Sequence, residues 1–324
     1  MAYELPTSRR RQVGNPALKS IASVGECMIE LSAGDSGWRL GYAGDTFNTL
    51  WVLRALMPQG AATDFVSAFG TDPFSAGQIA FMADNGIGIS HSPRLEAWHP
   101  GLYAITLDGA ERSFTYWRSE AAARRLADDP AALEKSLASR QLVYFSGITL
   151  AILDDAARET LLRALAVARG QGALVAFDPN FRPRLWADKA RAQAAIGAAL
   201  AHVDIALPTF PDEQALYGDG SPEETARRLS DAGIGEVVVK NGSQAALVKA
   251  AGRSVEVPAV TLADPLDTTG AGDSFNGSYL AARLLGIEPV AAAGRAHRVA
   301  AATVGVYGAL APAPLLREAF ASAA

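Results

Sequence analysis

From about residue 60 onward, short apolar runs alternate with amphipathic stretches, and nothing else in the sequence constrains the fold as strongly. The run Asp64-Phe65-Val66-Ser67-Ala68-Phe69 reads as a strand, with a helix after it over Pro73 to Asn85. Leu142 to Ser146 leads to a helix from about Asp155 to Arg169, and Ala173 to Phe177 to another around Lys189 to Leu200. Val203 to Leu207 and Glu236 to Val239 continue the series. Strands apolar on both faces need cover on both faces. The pattern therefore predicts an α/β fold, with a mostly parallel central sheet between two layers of helices.

Two segments break the rhythm. Gly101 to Arg118 alternates apolar and polar residues around Asp108-Gly109, which predicts a hairpin. Met28 to Leu40 also reads as extended, with no helix between it and a first core strand at Ile21 to Val24. Together they predict a small β-sheet inserted at about residues 28–42 and 99–118, either a lid over a cleft or an edge extension. No repeat, low-complexity tract or linker divides the chain. The expectation is one α/β domain over residues 20–320, with residues 1–19 as a flexible basic tail.

Thr7-Ser8-Arg9-Arg10-Arg11 carries a faint twin-arginine pattern, but Lys19, Ser20, Ser23 and Glu26 interrupt the apolar stretch an export signal needs. Val299 to Leu316 is uncharged, yet Gly305, Gly308, Pro312 and Pro314 spoil it as one membrane helix. It reads as a buried helix ending near Tyr307, then a loop. With 49% hydrophobic and 19% charged residues the chain is globular, and a net charge of -5 argues against a general nucleic-acid binder. Cys27 is the only cysteine, so neither an intrachain disulfide nor a cysteine zinc cage can form, and a cytoplasmic location is expected.

The chemistry concentrates in Leu266-Asp267-Thr268-Thr269-Gly270-Ala271-Gly272-Asp273-Ser274-Phe275-Asn276-Gly277, a polar turn running into an apolar helix from Ser274 to Leu285. Glycines let the backbone turn tightly against a ligand, and the first helical N–H groups are unpaired and attract phosphate. Asp273 is the anomaly, because a carboxylate there repels phosphate. A helix cap is one explanation. The other is that it takes a proton from the group attacking the phosphorus.

The whole string resembles the second signature of the ribokinase-like (phosphofructokinase B) family of sugar kinases. The resemblance extends over nearly the whole chain from about Ile21. Within the family it is strongest to members that phosphorylate the sugar acid 2-keto-3-deoxygluconate. It is carried by Gly25-Glu26-Cys27-Met28-Ile29-Glu30-Leu31, Gly101-Leu102-Tyr103, Tyr116-Trp117-Arg118, Glu120-Ala121-Ala122-Ala123, Ser146-Gly147-Ile148 and Asn180-Phe181-Arg182-Pro183-Arg184-Leu185-Trp186.

The resemblance implies a ribokinase-like three-layer sandwich with a β lid, ATP and Mg2+ as cofactors, and Asp273 as base. Gly270, Ala271 and Gly272 would form the anion hole. Gly41-Tyr42-Ala43-Gly44-Asp45-Thr46-Phe47-Asn48 is similar to the family's first signature, with Ala43 where relatives commonly have a second glycine. Gly44, Asp45 and Asn48 would hold the sugar, although Asp45 alone could simply cap a helix. Tyr103, Tyr116, Arg118, Ile148 and Arg182 would line the acid end. A guanidinium matches a carboxylate bidentately, and a neutral sugar needs none.

The nucleotide is expected against Asn180, Thr209, Lys240, Asn241, Gly242, Thr268 and His297. Asp212 stands where relatives carry a glutamate tied to magnesium, with Thr209 in place of their asparagine. Pro211 and the acids at this helix start also have a purely structural explanation. The chain has no Gly-x-x-x-x-Gly-Lys-Ser/Thr, no complete Gly-x-Gly-x-x-Gly and no His-Glu-x-x-His, which speaks against a P-loop kinase, a classical dehydrogenase and a zinc hydrolase. Rival readings are a fructokinase or ribokinase-type kinase of the same fold and a non-catalytic sugar or nucleotide sensor. A homo-oligomer paired through the lid is expected, and no nucleic-acid or membrane partner.

Overall fold

The computed structural model describes residues 19–322, apart from 35–36, 109–110, 261 and 263. The tail expected at residues 1–19 lies outside the described residues except for Lys19, as does Gly109 of the expected Asp108-Gly109 turn.

The chain enters the core with β1 (Ser20–Val24), leaves it for β2 (Met28–Gly34) and β3 (Gly37–Ala43), and returns through the helix Asp45–Leu56 to β4 (Ala62–Val66). Two short strands, β5 (Phe69–Gly70) and β6 (Arg94–Leu95), flank the helix Pro73–Asp84. A second excursion forms β7 (Leu102–Asp108) and β8 (Glu111–Trp117). Then β9 (Leu142–Ser146), β10 (Leu174–Asp178), β11 (Ile205–Ala206) and β12 (Glu236–Val239) alternate with helices, and β13 (Ala246–Ala250) and β14 (Arg253–Val257) close the sheet.

The core sheet has eight strands in the order β14-β13-β12-β11-β10-β9-β1-β4. It is parallel from β4 to β12, and β13 and β14 run antiparallel at one edge. Side chains alternate faces along each strand, so Val143 and Phe145 join one core while Leu142 and Tyr144 join the other. The helices Asp155–Gly170 and Lys189–Leu200 cover the first face, and Asp45–Leu56, Ala271–Leu284 and Pro289–Thr303 the second. This is the three-layer α/β sandwich expected.

The inserted segments pair as a four-stranded sheet in the order β3-β2-β7-β8, with β2 and β7 parallel. Its outer strands leave Trp38, Leu40, Phe114, Tyr116 and Trp117 exposed.

Several boundaries differ from the sequence reading. The run 64–69 breaks after Val66, and Phe69 pairs instead in a separate two-stranded sheet with β6. A short helix, Gly147–Ile152, follows β9 directly, because Ser146 accepts from Thr149 N and caps it at once. The helix expected to end near Tyr307 ends at Thr303, and another runs from Ala313 to Ala321 beyond Pro312. The helix after the glycine turn begins at Ala271 rather than Ser274, which puts Asp273 inside its first turn.

Candidate active site

Gly270 starts the site. Its φ of 75° is left-handed, and a Cβ there would stand 2.8 Å from Ala309 Cβ, so glycine alone fits the turn. Asp267 braces the same loop by accepting from Thr269 N at 3.0 Å and Gly308 N at 2.8 Å. Ser274 N makes the first intrahelical bond, to Gly270 O at 2.8 Å. The N–H groups ahead of it form the positive end of the helix dipole.

The Asp273 carboxylate accepts from Asn48 Nδ2 at 2.8 Å, and Thr49 Oγ1 lies 3.3 Å from Asp273 O. These contacts join two helices that pack closely, since a Cβ on Gly277 would come within 2.5 Å of Thr49 O. Burial, then the negative charge of Asp45, pushes the Asp273 carboxyl up to about 7. Its ionised form is thus poorly stabilised and ready to accept a proton near neutral pH.

Behind Asp273 lies a buried polar cluster at the carboxyl ends of the strands. Lys240 Nζ donates to Asp178 Oδ2 at 2.6 Å and Asn276 Oδ1 at 3.0 Å. Asn276 Nδ2 reaches Asp178 Oδ2 at 2.7 Å and Tyr144 OH at 3.1 Å. Asn180, held at a left-handed φ of 37°, donates to Asp45 Oδ2 at 2.8 Å. Asp45 is raised too, by burial, with Ser146 and Asn180 opposing the shift.

Two cavities meet at the glycine turn. The larger, about 630 Å³, lies between the lid and the sheet edge and is lined by every expected sugar residue: Gly44, Asp45, Asn48, Tyr103, Tyr116, Arg118, Ile148 and Arg182. The smaller, about 370 Å³, is lined by Thr209, Lys240, Asn241, Gly242, Thr268 and His297, along with Ala271 and Gly272. Thr269 lines the first and Thr268 the second, so one loop forms the seam. Apart from Thr269, the larger cavity draws on residues up to Leu185 and the smaller on residues from Thr209 onward.

Asn180 is the exception among the expected nucleotide residues. It does not line the smaller cavity, because its side chain is turned to Asp45. His297 is 6% exposed and packs edge-on to Phe275 at 5.0 Å. Asp212 pairs with Arg182 at 3.2 Å, and Glu213 turns away to Arg228 at 2.7 Å. Arg118 pairs with the buried carboxylate of Glu26 and lies 5.9 Å from the Tyr116 ring centroid. Both arginines expected to meet an acid therefore already hold one of the protein's own.

Sequence reasoning did not assign Glu26, Asp178, Tyr144, Asn276 or Arg184 to the site. Glu26 and Asp178 carried a signal, each being a charged residue just beyond an apolar strand. Tyr144 and Asn276 carried none, because they sit in runs that read as ordinary core.

Known proteins resemble the chain over most of its length. The profile of the "pfkB family carbohydrate kinase" matches residues 18–316. A 2-dehydro-3-deoxygluconokinase from Dickeya dadantii (strain 3937) is 42% identical over 301 residues, spanning 91% of this chain and 97% of that protein. The crystal structure of a PfkB protein from Polaromonas sp. JS666 superposes with a TM-score of 0.80 at 27% identity, covering 92% of this chain and 98% of that one. A putative Ribokinase II from E. coli, solved in complex with ATP and Mg2+, shares the fold at a TM-score of 0.79 and 24% identity, covering 90% and 94%.

Proposed function

Because the chain belongs to the pfkB family of carbohydrate kinases, we infer that it transfers the terminal phosphoryl group of ATP to 2-dehydro-3-deoxygluconate, also called 2-keto-3-deoxygluconate, giving the 6-phosphate. One observation carries the mechanism. A carboxyl poised near neutrality stands in the first turn of the helix that follows the seam loop; Asn48 of the larger cavity donates to it, and its neighbour Gly272 lines the smaller. The sugar acid occupies the larger cavity, its terminal hydroxyl toward Asp273 and its remaining hydroxyls against Asp45, Asn48 and the Gly44 backbone. The nucleotide occupies the smaller cavity. Asp273 takes the hydroxyl proton as oxygen attacks phosphorus, and the N–H groups at Gly270 to Asp273 stabilise the transferring charge.

Among the described residues no three His, Cys, Asp or Glu side chains converge on a metal site. That fits a magnesium ion carried in by the nucleotide phosphates, which needs only one or two protein carboxylates. Asp212 is the carboxylate proposed for it, three positions after the cavity-lining Thr209, and it would have to release Arg182 to hold the ion. Bound there, Mg2+ would offset phosphate charge.

Arg118 and Arg182 are the groups for the substrate carboxylate. Their existing pairs with Glu26 and Asp212 favour a second reading, a neutral-sugar kinase, since both charges are partly spent. ATP turnover against 2-keto-3-deoxygluconate, its galactonate epimer, gluconate, fructose and ribose separates the two. Turnover confined to the keto-deoxy acids supports the first reading, and turnover on fructose or ribose overturns it. Product-free binding would point instead to a sensor. No helix among the described residues is long and apolar enough to cross a membrane. Exposed Trp38, Leu40 and Trp117 on the edge strands of the lid support pairing between copies, which light scattering would detect.

A further inference from the structure

Lys240 is a cation where cations are rare. It follows the carboxyl end of β12, is 7% exposed, and lines the smaller cavity. Its bonds to Asp178 and Asn276 leave one ammonium proton uncommitted. A buried ion pair is weak evidence of stabilisation, since apolar residues of similar size often serve a fold as well. The placement of Lys240 suggests another role. Nζ lies 3.7 Å from where a Cβ on Gly272 would stand, against the helix N-terminus that lines the smaller cavity just past the seam loop. Asn276, one turn beyond Asp273 on that helix, fixes the ammonium relative to the base.

We propose that Lys240 is a catalytic residue, a cation held beneath Gly272 whose free N–H offsets charge on the phosphoryl group as it passes between the cavities. This rests on the kinase reading above. In the step, the sugar oxygen bonds to the terminal phosphorus, and the bond from that phosphorus to the bridging oxygen breaks. Its electron pair leaves with the nucleoside diphosphate, and the hydroxyl proton goes to Asp273. Lys240 keeps its proton throughout. Asp178 and Asn276 are positioning residues that hold the ammonium.

Lys240→Met alone would orphan the buried Asp178 carboxylate, so the test combines it with Asp178→Asn. The full-length double variant is compared with the unmodified protein on whichever panel sugar the latter phosphorylates. The expected result is a normal melting curve with turnover down roughly 100-fold or more. ATP affinity should stay near normal, while binding of ADP with aluminium fluoride, a mimic of the transferring group, falls in step with turnover. If the double variant does not fold, Lys240→Gln, which keeps a donor for Asp178, gives the same comparison. Near-normal turnover in a folded variant, or parallel losses of ATP and mimic binding, overturns the proposal. Absence of turnover on every sugar by the unmodified protein overturns the kinase reading itself.

Discussion

Replacing Asp273 by asparagine should cripple the enzyme and stabilise it at the same time. The carboxyl has an ordinary value of 3.8 and stands at about 7 in the fold, chiefly through burial and then the charge of Asp45. Below pH 3.8 it is protonated in the folded and the unfolded chain, so its full contribution to stability is present. As pH rises toward 7 the unfolded chain loses its proton first, and stability falls across that window. At about 1.4 kcal/mol per pH unit, the ionised form costs on the order of 4 kcal/mol at pH 8. Asp45 shares that repulsion, so relieving one charge should recover about 1 to 4 kcal/mol, or roughly 2 to 8 °C for a chain of this size. A carboxamide oxygen can still accept from Asn48 Nδ2, so the bond joining the two helices survives.

The assay is a melting series from pH 5 to pH 8 on both proteins, beside a coupled turnover measurement. Asp273→Asn should melt higher at pH 8, with the advantage shrinking toward pH 5. Turnover should fall roughly 100- to 10,000-fold. An equal advantage at both pH values, or a variant less stable than the parent at pH 8, would refute the electrostatic argument. Near-normal turnover would refute the assignment of the base.

Gly270→Ala puts a Cβ 2.8 Å from Ala309 Cβ at a φ of 75°, so a stability loss of about 2 kcal/mol or more is expected, with turnover falling as the helix start shifts. Unchanged melting and kinetics would show that the turn relaxes freely. Arg182→Gln, and separately Arg118→Gln with Glu26→Gln so that no buried charge is orphaned, should each raise KM for the sugar acid by roughly 10-fold or more. The same variants should leave the KM of any neutral sugar unchanged, which steady-state kinetics on both substrates would check. Chelation of magnesium by EDTA should abolish turnover and added Mg2+ restore it, whereas full activity in EDTA would exclude a divalent requirement.

The layered fold was legible because its signal is periodic. Val143 and Phe145 must face one core and Leu142 and Tyr144 the other, and only a doubly covered sheet satisfies both. The lid was legible because Gly101 to Arg118 alternates. The expected sugar and anion residues came through the family resemblance, Gly44, Asp45, Asn48 and Gly270 to Gly272 at two glycine-rich helix starts, and Tyr103, Tyr116, Arg118, Ile148 and Arg182 elsewhere. Charge pairing was not legible. Glu26 meets Arg118 across 92 positions and Asp212 meets Arg182 across 30, and no local pattern encodes such partners. For the same reason Asn180 was expected at the nucleotide but turns to Asp45, 135 positions away. Ser146 set the Gly147–Ile152 helix, which was missed because one capping turn is too short to show a period.

The way the two cavities divide the chain has a consequence for how such a protein can change. Except for Thr269, the walls of the larger cavity come from residues up to Leu185, and those of the smaller from Thr209 onward. With the sugar proposed for the larger cavity and the nucleotide for the smaller, substitutions that reshape the one therefore rarely touch the other. A lineage could exchange one sugar for another through changes in the first half and the lid while the phosphate donor, the base and the turn beside it stay intact. Acceptor choice can drift, and transfer chemistry need not be rebuilt each time.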